Sequence, residues 1–259
     1  SESAIFSDLS IDEFQKRLLA TIRAMRHLHK SALWISVHMS CAKYLESMHD
    51  IDGLDFHHTS SPSHVELCMW IKDDAENKIP EYATHQVGVG AMVVNSRNEI
   101  LCVKELRRNY RPWKIPGGLA ELEEGLDAAA CREVMEETGI ECTFQSVIGF
   151  RHTHNLQFGR SDLYFVCRMT PVEKLDEDGT SIITQPVAQE NEIAAVSWIP
   201  LDEYRDMVEG NEEEGMKPHP MMQKMMKSYD SNSDIHATVI TSIVPGRKPS
   251  PMYCAAVPK

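Results

Sequence analysis

Gly118-Leu-Ala-Glu-Leu-Glu-Glu124-Gly-Leu-Asp-Ala-Ala-Ala-Cys-Arg132-Glu133-Val134-Met135-Glu136-Glu137-Thr138-Gly139-Ile140 obeys the spacing G-x5-E-x7-R-E-U-x-E-E-x-G-U, with U a bulky aliphatic, at every specified position. Each of the seven fixed identities occurs at about 5 to 7 per cent in average usage, so an accidental match is on the order of one in ten million. At a helical step of 100° per residue, Glu133, Glu136 and Glu137 fall within about 100° of one another, while Ala128, Cys131, Val134 and Met135 gather on the opposite side. The pattern therefore predicts one helix with an apolar face for a core and a carboxylate face for something else. Asp127 is the predicted N-cap, and Gly139 falls where helices commonly end in a left-handed residue. Like charges at i, i+3 and i+4 cost a bare helix roughly 0.2–0.5 kcal/mol per pair, and Glu121, Glu123 and Glu124 in the preceding loop add to the repulsion. A bound cation removes that cost. Oxygen-only ligands select hard ions, so Mg²⁺ or Mn²⁺ is the expected cofactor, with Ca²⁺ able to bind without supporting chemistry. A merely solvated face is the commoner fate of a charge run; here the glycine, arginine and spacing constraints argue against it.

Just upstream, Lys104, Arg107, Arg108, Arg111 and Lys114 run against the net charge of −13. They form either a basic surface loop or the counter-charges for a substrate phosphate, with Lys114 the first candidate. The acidic balance of the whole makes a nucleic-acid backbone an unexpected partner. Length (259 residues), 42% hydrophobic and 25% charged content suit one large or two small soluble domains. The longest apolar runs fall short of about 18 residues and no basic-then-apolar leader opens the sequence, so no membrane association is expected. Seven cysteines without a C-x-x-C point to reduced thiols inside a cell. The cytoplasm is the expected compartment, with nucleus or mitochondrion open.

Farther out, Ser10-Ile-Asp-Glu13 is a capping box, and Ile11, Phe14, Leu18, Ile22 and Met25 follow at helical steps to about His29. A strand at 32–37, a short helix begun by Ser40, and strands at 54–58 and 65–71 complete an α/β module. The charged, proline-containing run at 73–82 reads as a linker. Strands at 84–94 and 99–103 flank a turn at 95–98 and read as a hairpin; more strands are expected at 147–152, 162–169 and 193–199, then a helix at 201–208. Residues 221–226 read as a short packed helix, 211–215 as an acidic turn and 236–244 as a strand.

The 118–140 pattern resembles the Nudix box, and the chain resembles a Nudix hydrolase. Its arrangement and the phrase Gly53-Leu-Asp-Phe-His-His58 are similar to the fibroblast-growth-factor-antisense Nudix proteins and their plant relatives, which carry a pre-Nudix domain. The resemblance implies an α/β fold, a Nudix α/β/α sandwich with mixed sheets, preceded by a small acetyltransferase-like α/β domain. The boundaries read as 1–75 for the pre-Nudix domain, 76–83 for the linker, 84–210 for the Nudix domain and 211–259 for a C-terminal extension.

It further implies hydrolysis of a nucleoside diphosphate linked to another moiety with Mg²⁺ or Mn²⁺. Glu133, Glu136 and Glu137 would be the metal ligands with the Gly117 carbonyl, and Arg132 and Glu124 would orient them. Some relatives take their base from the box and others from a distant loop, where Glu190 and especially Glu192 stand here. Arg108, Lys114, Gly118, His152 and Phe158 make the expected substrate-binding set. His154, Trp113, Arg160 and Asp162 are further candidates, with core packing or solvent the alternative for each. The subtype signatures for dinucleoside polyphosphates, coenzyme A and a downstream ADP-ribose proline are missing, so the plant relatives that hydrolyse ADP-ribose and NADH supply the expected substrate. The alternatives are a nucleotide-sensing or partner-binding regulatory protein, an RNA-decapping enzyme or a dinucleoside polyphosphate hydrolase. A homodimer is left open.

Overall fold

Ser10 opens the first helix as its capping box predicts: its hydroxyl accepts a hydrogen bond from the Glu13 amide at 3.2 Å, starting α1 (Ile11–His27). Glu13 does not close the box. Its carboxylate turns outward to Arg17 at 2.8 Å instead. The computed structural model describes residues 9–106, 112–210, 219–240 and 249–255, so Arg107, Arg108, Arg111 and the turn expected at 211–215 lie outside the described residues. Two compact units divide at Thr84/His85.

In the first unit, α1 buries Phe14 and Ile22 against strands β1 (Ala32–His38), β2 (Leu54–Ser61) and β3 (His64–Trp70), an antiparallel sheet in the order β1-β3-β2. A 3-10 turn (Met39–Tyr44) leads into α2 (Leu45–His49). That turn is capped by His38, whose Nδ1 accepts from the Ser40 amide at 3.1 Å, rather than by Ser40 itself. The imidazole lone pair performs the capping that a hydroxyl usually performs.

The second unit contains β4 (His85–Val93), β5 (Glu99–Glu105), β6 (Gly117–Leu119), α3 (Leu126–Thr138), β7 (Cys142–Thr153), β8 (Ser161–Pro171), the short pair β9 (Lys174–Leu175) and β10 (Ser181–Ile182), β11 (Ile193–Pro200), α4 (Leu201–Glu209), α5 (Pro220–Ser231), β12 (Ile235–Ile240) and β13 (Ser250–Ala255). A mixed sheet runs β13-β12-β7-β8-β4-β6, with β4 and β8 parallel; β5 and β11 form a second, antiparallel pair. Strand alternation assigns the layers. Val89, Ala91 and Val93 pack toward α3 with Ala129, Ala130 and Val134. Met92 and Val166 pack the other way, toward Ile100, Cys102, Ile199, Tyr204 and the methionines of α5.

The hairpin expected from β4 and β5 does not form. They meet only at an isolated bridge, Val94↔Ile100, and β5 pairs with β11. Ile100 and Cys102 enter one core and Leu101 the other, all fully buried, so β5 is covered on both faces. The Asn95 side chain tightens the intervening turn by accepting from the Arg97 and Glu99 amides at 2.9 and 3.0 Å.

Past residue 210, β12 and β13 extend the main sheet, and residues 241–244 of the strand expected at 236–244 lie outside the described residues. Met222, Met225 and Met226 of α5 are buried, as the packed-helix reading expects. Asp234, nearly buried, accepts hydrogen bonds from Ser146 at 2.5 Å and from Arg168, whose guanidinium also lies over the Tyr229 ring. Burial works to raise the Asp234 carboxyl, yet the Arg168 and Ser146 hydrogen bonds outweigh it and hold the group below the ordinary carboxylate range. Among the described residues, no helix is long and apolar enough to cross a membrane.

Candidate active site

Two glycines let the helix and the sheet edge meet. β6 pairs with β4 so that Gly118 faces Val89 and Gly117 faces Gly90, and α3 lays the Glu133 carboxylate against the α-carbon of Gly118. A β-carbon there would lie 2.5 Å from the carboxylate carbon. Gly117 has φ +154, and its N–H donates to Glu137 Oε2 at 2.9 Å.

The helix itself departs from the expected pattern in two ways. Gly125, in extended conformation and without a side-chain cap, is the N-cap; Asp127 falls in the first turn. The buried side is Ala129, Ala130, Val134 and Thr138 together with Glu137, whereas Ala128 and Met135 are exposed. Contact with both β4 and β6 turns the buried sector toward the glutamates, so the acidic and apolar faces are not opposed. Gly139 ends the helix at φ 68, as predicted.

Arg132 ties the acidic residues together. Its Nε and Nη2 donate to both oxygens of Glu124 at 2.8 and 3.0 Å, and its Nη1 donates to Glu133 at 2.9 Å and Glu136 at 3.2 Å. A further bond from Nη2 to the Leu119 carbonyl at 3.0 Å fixes the guanidinium to β6. The Arg132 hydrogen bond holds the Glu124 carboxyl below its usual range.

Glu137 is 4% exposed, and burial pushes its carboxyl up to about 7 even though Lys114 and the Gly117 amide favour the charged form; Glu133 and Glu192 push the same way as burial. Glu133 is also raised, first by burial and further by Glu136 and Glu192, against the pull of Arg132. Glu192 thus lies within electrostatic reach of both. The β5–β11 pairing brings it there: the Leu106 amide donates to the Glu192 carbonyl at 2.7 Å, beside a cavity of about 230 Å³ lined by Glu105, Glu190, Asn191 and Glu192. Lys114 Nζ pairs with Glu105 at 2.6 Å and stands 4.0 Å from Glu137. Glu105 has no local signature; only strand pairing with a distant segment reveals it.

The structure gathers Gly117, Gly118, Lys114, Arg132, Glu133, Glu136, Glu137 and Glu192 in one region, and other candidates elsewhere. His152 is exposed, with Nε2 2.9 Å from Nε2 of His85 and its ring edge-on to His154 at 4.3 Å. Desolvation, then the neighbouring His154 and His85, hold its imidazole below the ordinary value. Phe158 is 91% exposed at φ 56 in the 3-10 turn Gln157–Gly159. Trp113 packs against the core beneath Lys104, whose ammonium lies 4.4 Å from the ring centroid.

Sequence reasoning missed two residues of β7 and β8. The Tyr164 ring lies across Gly88 and Gly90, and the Arg151 guanidinium lies over that ring.

The side-chain ligand atoms that Glu133, Glu136 and Glu137 offer near Gly117 are carboxylate oxygens, which suit a hard divalent cation. The raised Glu137, crowded by two other carboxylates, is the kind of charge such an ion offsets. Among the described residues, no three His, Cys, Asp or Glu side chains converge as a ready-made cage; Glu133 and Glu136 face Arg132, and Glu137 faces Lys114 and Gly117.

A NUDIX domain profile matches residues 84–219, just over half of the chain. The chain belongs to the Nudix family. A Nudix hydrolase domain profile also matches residues 4–71, in the first unit. Nucleoside diphosphate-linked moiety X motif 6 of Homo sapiens is 38% identical over 161 residues, 61% of this chain and 50% of that protein. Nudix hydrolase 8 of Arabidopsis thaliana is 33% identical over 76% of this chain and 52% of its own length, and Nudix hydrolase 10 is 34% identical over 79% and 69%. The chain thus spans about half the length of the first two. Among solved structures, a NUDIX hydrolase from Nitrosomonas europaea is 23% identical, covering 57% of this chain and 90% of that one with a TM-score of 0.43.

Proposed function

We propose that this Nudix chain hydrolyses the pyrophosphate bond of a nucleoside diphosphate linked to another moiety, with ADP-ribose and NADH the first substrates to test. The observation that carries the reading is the meeting of Glu133 and Glu137 with the Gly117–Gly118 edge, where the buried Glu137 carboxyl, raised to about 7, sits among other carboxylates, with Glu136 tied to Glu133 through Arg132. Glu133, Glu136, Glu137 and the Gly117 carbonyl would hold Mg²⁺ or Mn²⁺. Bound there, such ions supply charge neutralisation at the leaving oxygens and a lowered pKa for the attacking water.

The chain's own residues do the rest. Arg132, clamped by Glu124 and Leu119, keeps Glu133 and Glu136 aimed while the site is being loaded. Lys114 balances Glu105 and Glu137 and stands ready for a substrate phosphate. Glu192, beside Glu133 and Glu137, is our choice for the residue that accepts a proton from water. The catalytic unit in this reading is 84–210, followed by an extension at 211–259 and preceded by a linker at 76–83. For residues 1–75 we propose an acetyltransferase-like shape, supported by one long helix laid on an antiparallel sheet.

Incubation of the purified chain with Mg²⁺ and, separately, ADP-ribose, NADH, diadenosine polyphosphate, coenzyme A and capped RNA tests the proposal. Release of AMP from ADP-ribose or NADH supports it. Turnover of capped RNA alone, or of nothing, sinks the substrate assignment.

A further inference from the structure

Arg151 has no place in the metal-binding motif, yet the fold locks its position. Asp162 is almost fully buried, 4% exposed, and its two oxygens accept from Arg151 Nη2 at 3.0 Å and Gln86 Nε2 at 3.2 Å. The guanidinium also lies over the Tyr164 ring, 5.5 Å from its centroid. A buried carboxylate and an aromatic ring thus fix the head of a side chain that is itself 43% exposed. An arginine carries five N–H donors. Among the described residues, Asp162 is the hydrogen-bond acceptor this guanidinium meets, through Nη2 alone, so the other N–H groups of a half-exposed head are left for a ligand.

The fork sits along the sheet from the carboxylates. Arg151 is opposite Tyr164 on β7 and β8, and Tyr164 is opposite Gly88 on β4. The Tyr164 ring runs from Gly88 to Gly90, with its hydroxyl end at Gly90 beside Ile115. Gly90 pairs in turn with Gly117, whose amide holds Glu137. The order β7-β8-β4-β6 sets the Arg151 backbone three strand spacings, ~14 Å, from the β6 edge that holds Glu137, and the Arg151 head, lying over the Tyr164 ring, closes part of that distance. A diphosphate with a hydrogen bond at its far end fits such a gap. An exposed ion pair for stability alone would not need a buried carboxylate, since exposed pairs contribute little.

We propose that Arg151 is a substrate-binding residue, a guanidinium aimed by Asp162 and Tyr164 at an anionic phosphate oxygen of the substrate, on the phosphate remote from the α3 carboxylates. Its ligand class rests on the pyrophosphate-hydrolase reading above. Asp162 and Tyr164 act through Arg151 as positioning residues. Lysine is a poor replacement because it lacks the planar fork that can serve Asp162 and a phosphate together.

The test is calorimetric binding of ADP and of adenosine to the full chain, wild type and Arg151→Ala, with steady-state kinetics on ADP-ribose beside it. Charge-assisted hydrogen bonds lost in Arg151→Ala weaken ADP binding roughly 10- to 100-fold and leave adenosine binding within about twofold. KM rises in step while kcat changes little, and Arg151→Lys recovers only part of the loss. Arg151→Ala leaves the buried Asp162 with Gln86 alone and is expected to lower the melting temperature, so binding is measured below the melting transition of each variant, and adenosine affinity reports whether the folded site is kept. Equal ADP affinity in wild type and Arg151→Ala overturns the inference but leaves the hydrolase reading standing. Arg151-dependent ADP binding by a chain that hydrolyses none of the panel supports the inference and removes the hydrolase reading. A wild type that binds no ADP overturns the inference.

Discussion

Gly118→Ala separates the chemistry of the site from the stability of the fold. The new methyl would fall 2.5 Å from the Glu133 carboxylate carbon, where ordinary contact needs at least 3.4 Å, so the two groups must part by roughly 1 Å. Gly118 cannot give way easily, since its backbone is paired with Val89. The Glu133 side chain can, because what meets the methyl is the end of a flexible chain. The fold is therefore expected to lose little, within about 1 kcal/mol. Glu133, however, leaves its seat and its 2.9 Å contact with Arg132. A misplacement of about 1 Å at a reacting centre is expected to reduce turnover on the order of 100-fold. Steady-state rates with saturating Mg²⁺ and a thermal melt on the same preparation make the assay. A kcat within twofold of wild type would refute the reasoning, as would a collapse of the melting temperature that accounts for the lost rate.

Two further outcomes follow from the same geometry. Arg132→Ala removes the group that aligns Glu124, Glu133 and Glu136, and is expected to raise the Mg²⁺ concentration for half-maximal rate by about tenfold or more; titration of rate against Mg²⁺ checks it, and an unchanged half-point denies the aligning role. Asp234→Asn leaves Arg168 without its counter-charge and is expected to destabilise the second unit by about 3–5 kcal/mol at neutral pH. Since the folded Asp234 carboxyl lies below its ordinary range, its contribution is complete above the unfolded pKa and is lost as pH falls through the folded one. Urea unfolding of wild type and variant should thus converge in acid and diverge toward neutral pH, and a gap that widens in acid would contradict the assignment.

Local chemistry made much of the chain legible. Ser10 and Gly139 bound their helices because capping is decided by a few neighbouring atoms. The spacing of 118–140 put the three glutamates and Arg132 in one place because a helix repeats whatever lies around it. The failures share a different cause. Gly125 displaced Asp127 as the cap, and Glu137 was drawn inward, because β4 and β6 and not the helix alone set which side of α3 is buried. Val94 and Ile100 read as a hairpin until β11, far along the chain, claimed β5. Glu105, Arg151 and Tyr164 carry no motif at all; each matters through strand register, which a single sequence does not display.

The central claim is that the glutamates of α3 carry the hydrolysis, and the Mg²⁺-dependent turnover of Glu137→Gln against wild type tests it most directly. Glutamine keeps the size of a side chain that is nearly buried beside the Gly117 amide, so the melting temperature should hold within a few degrees while kcat falls by about two orders of magnitude or more. A correctly folded Glu137→Gln protein turning over at a near-normal rate would contradict the account.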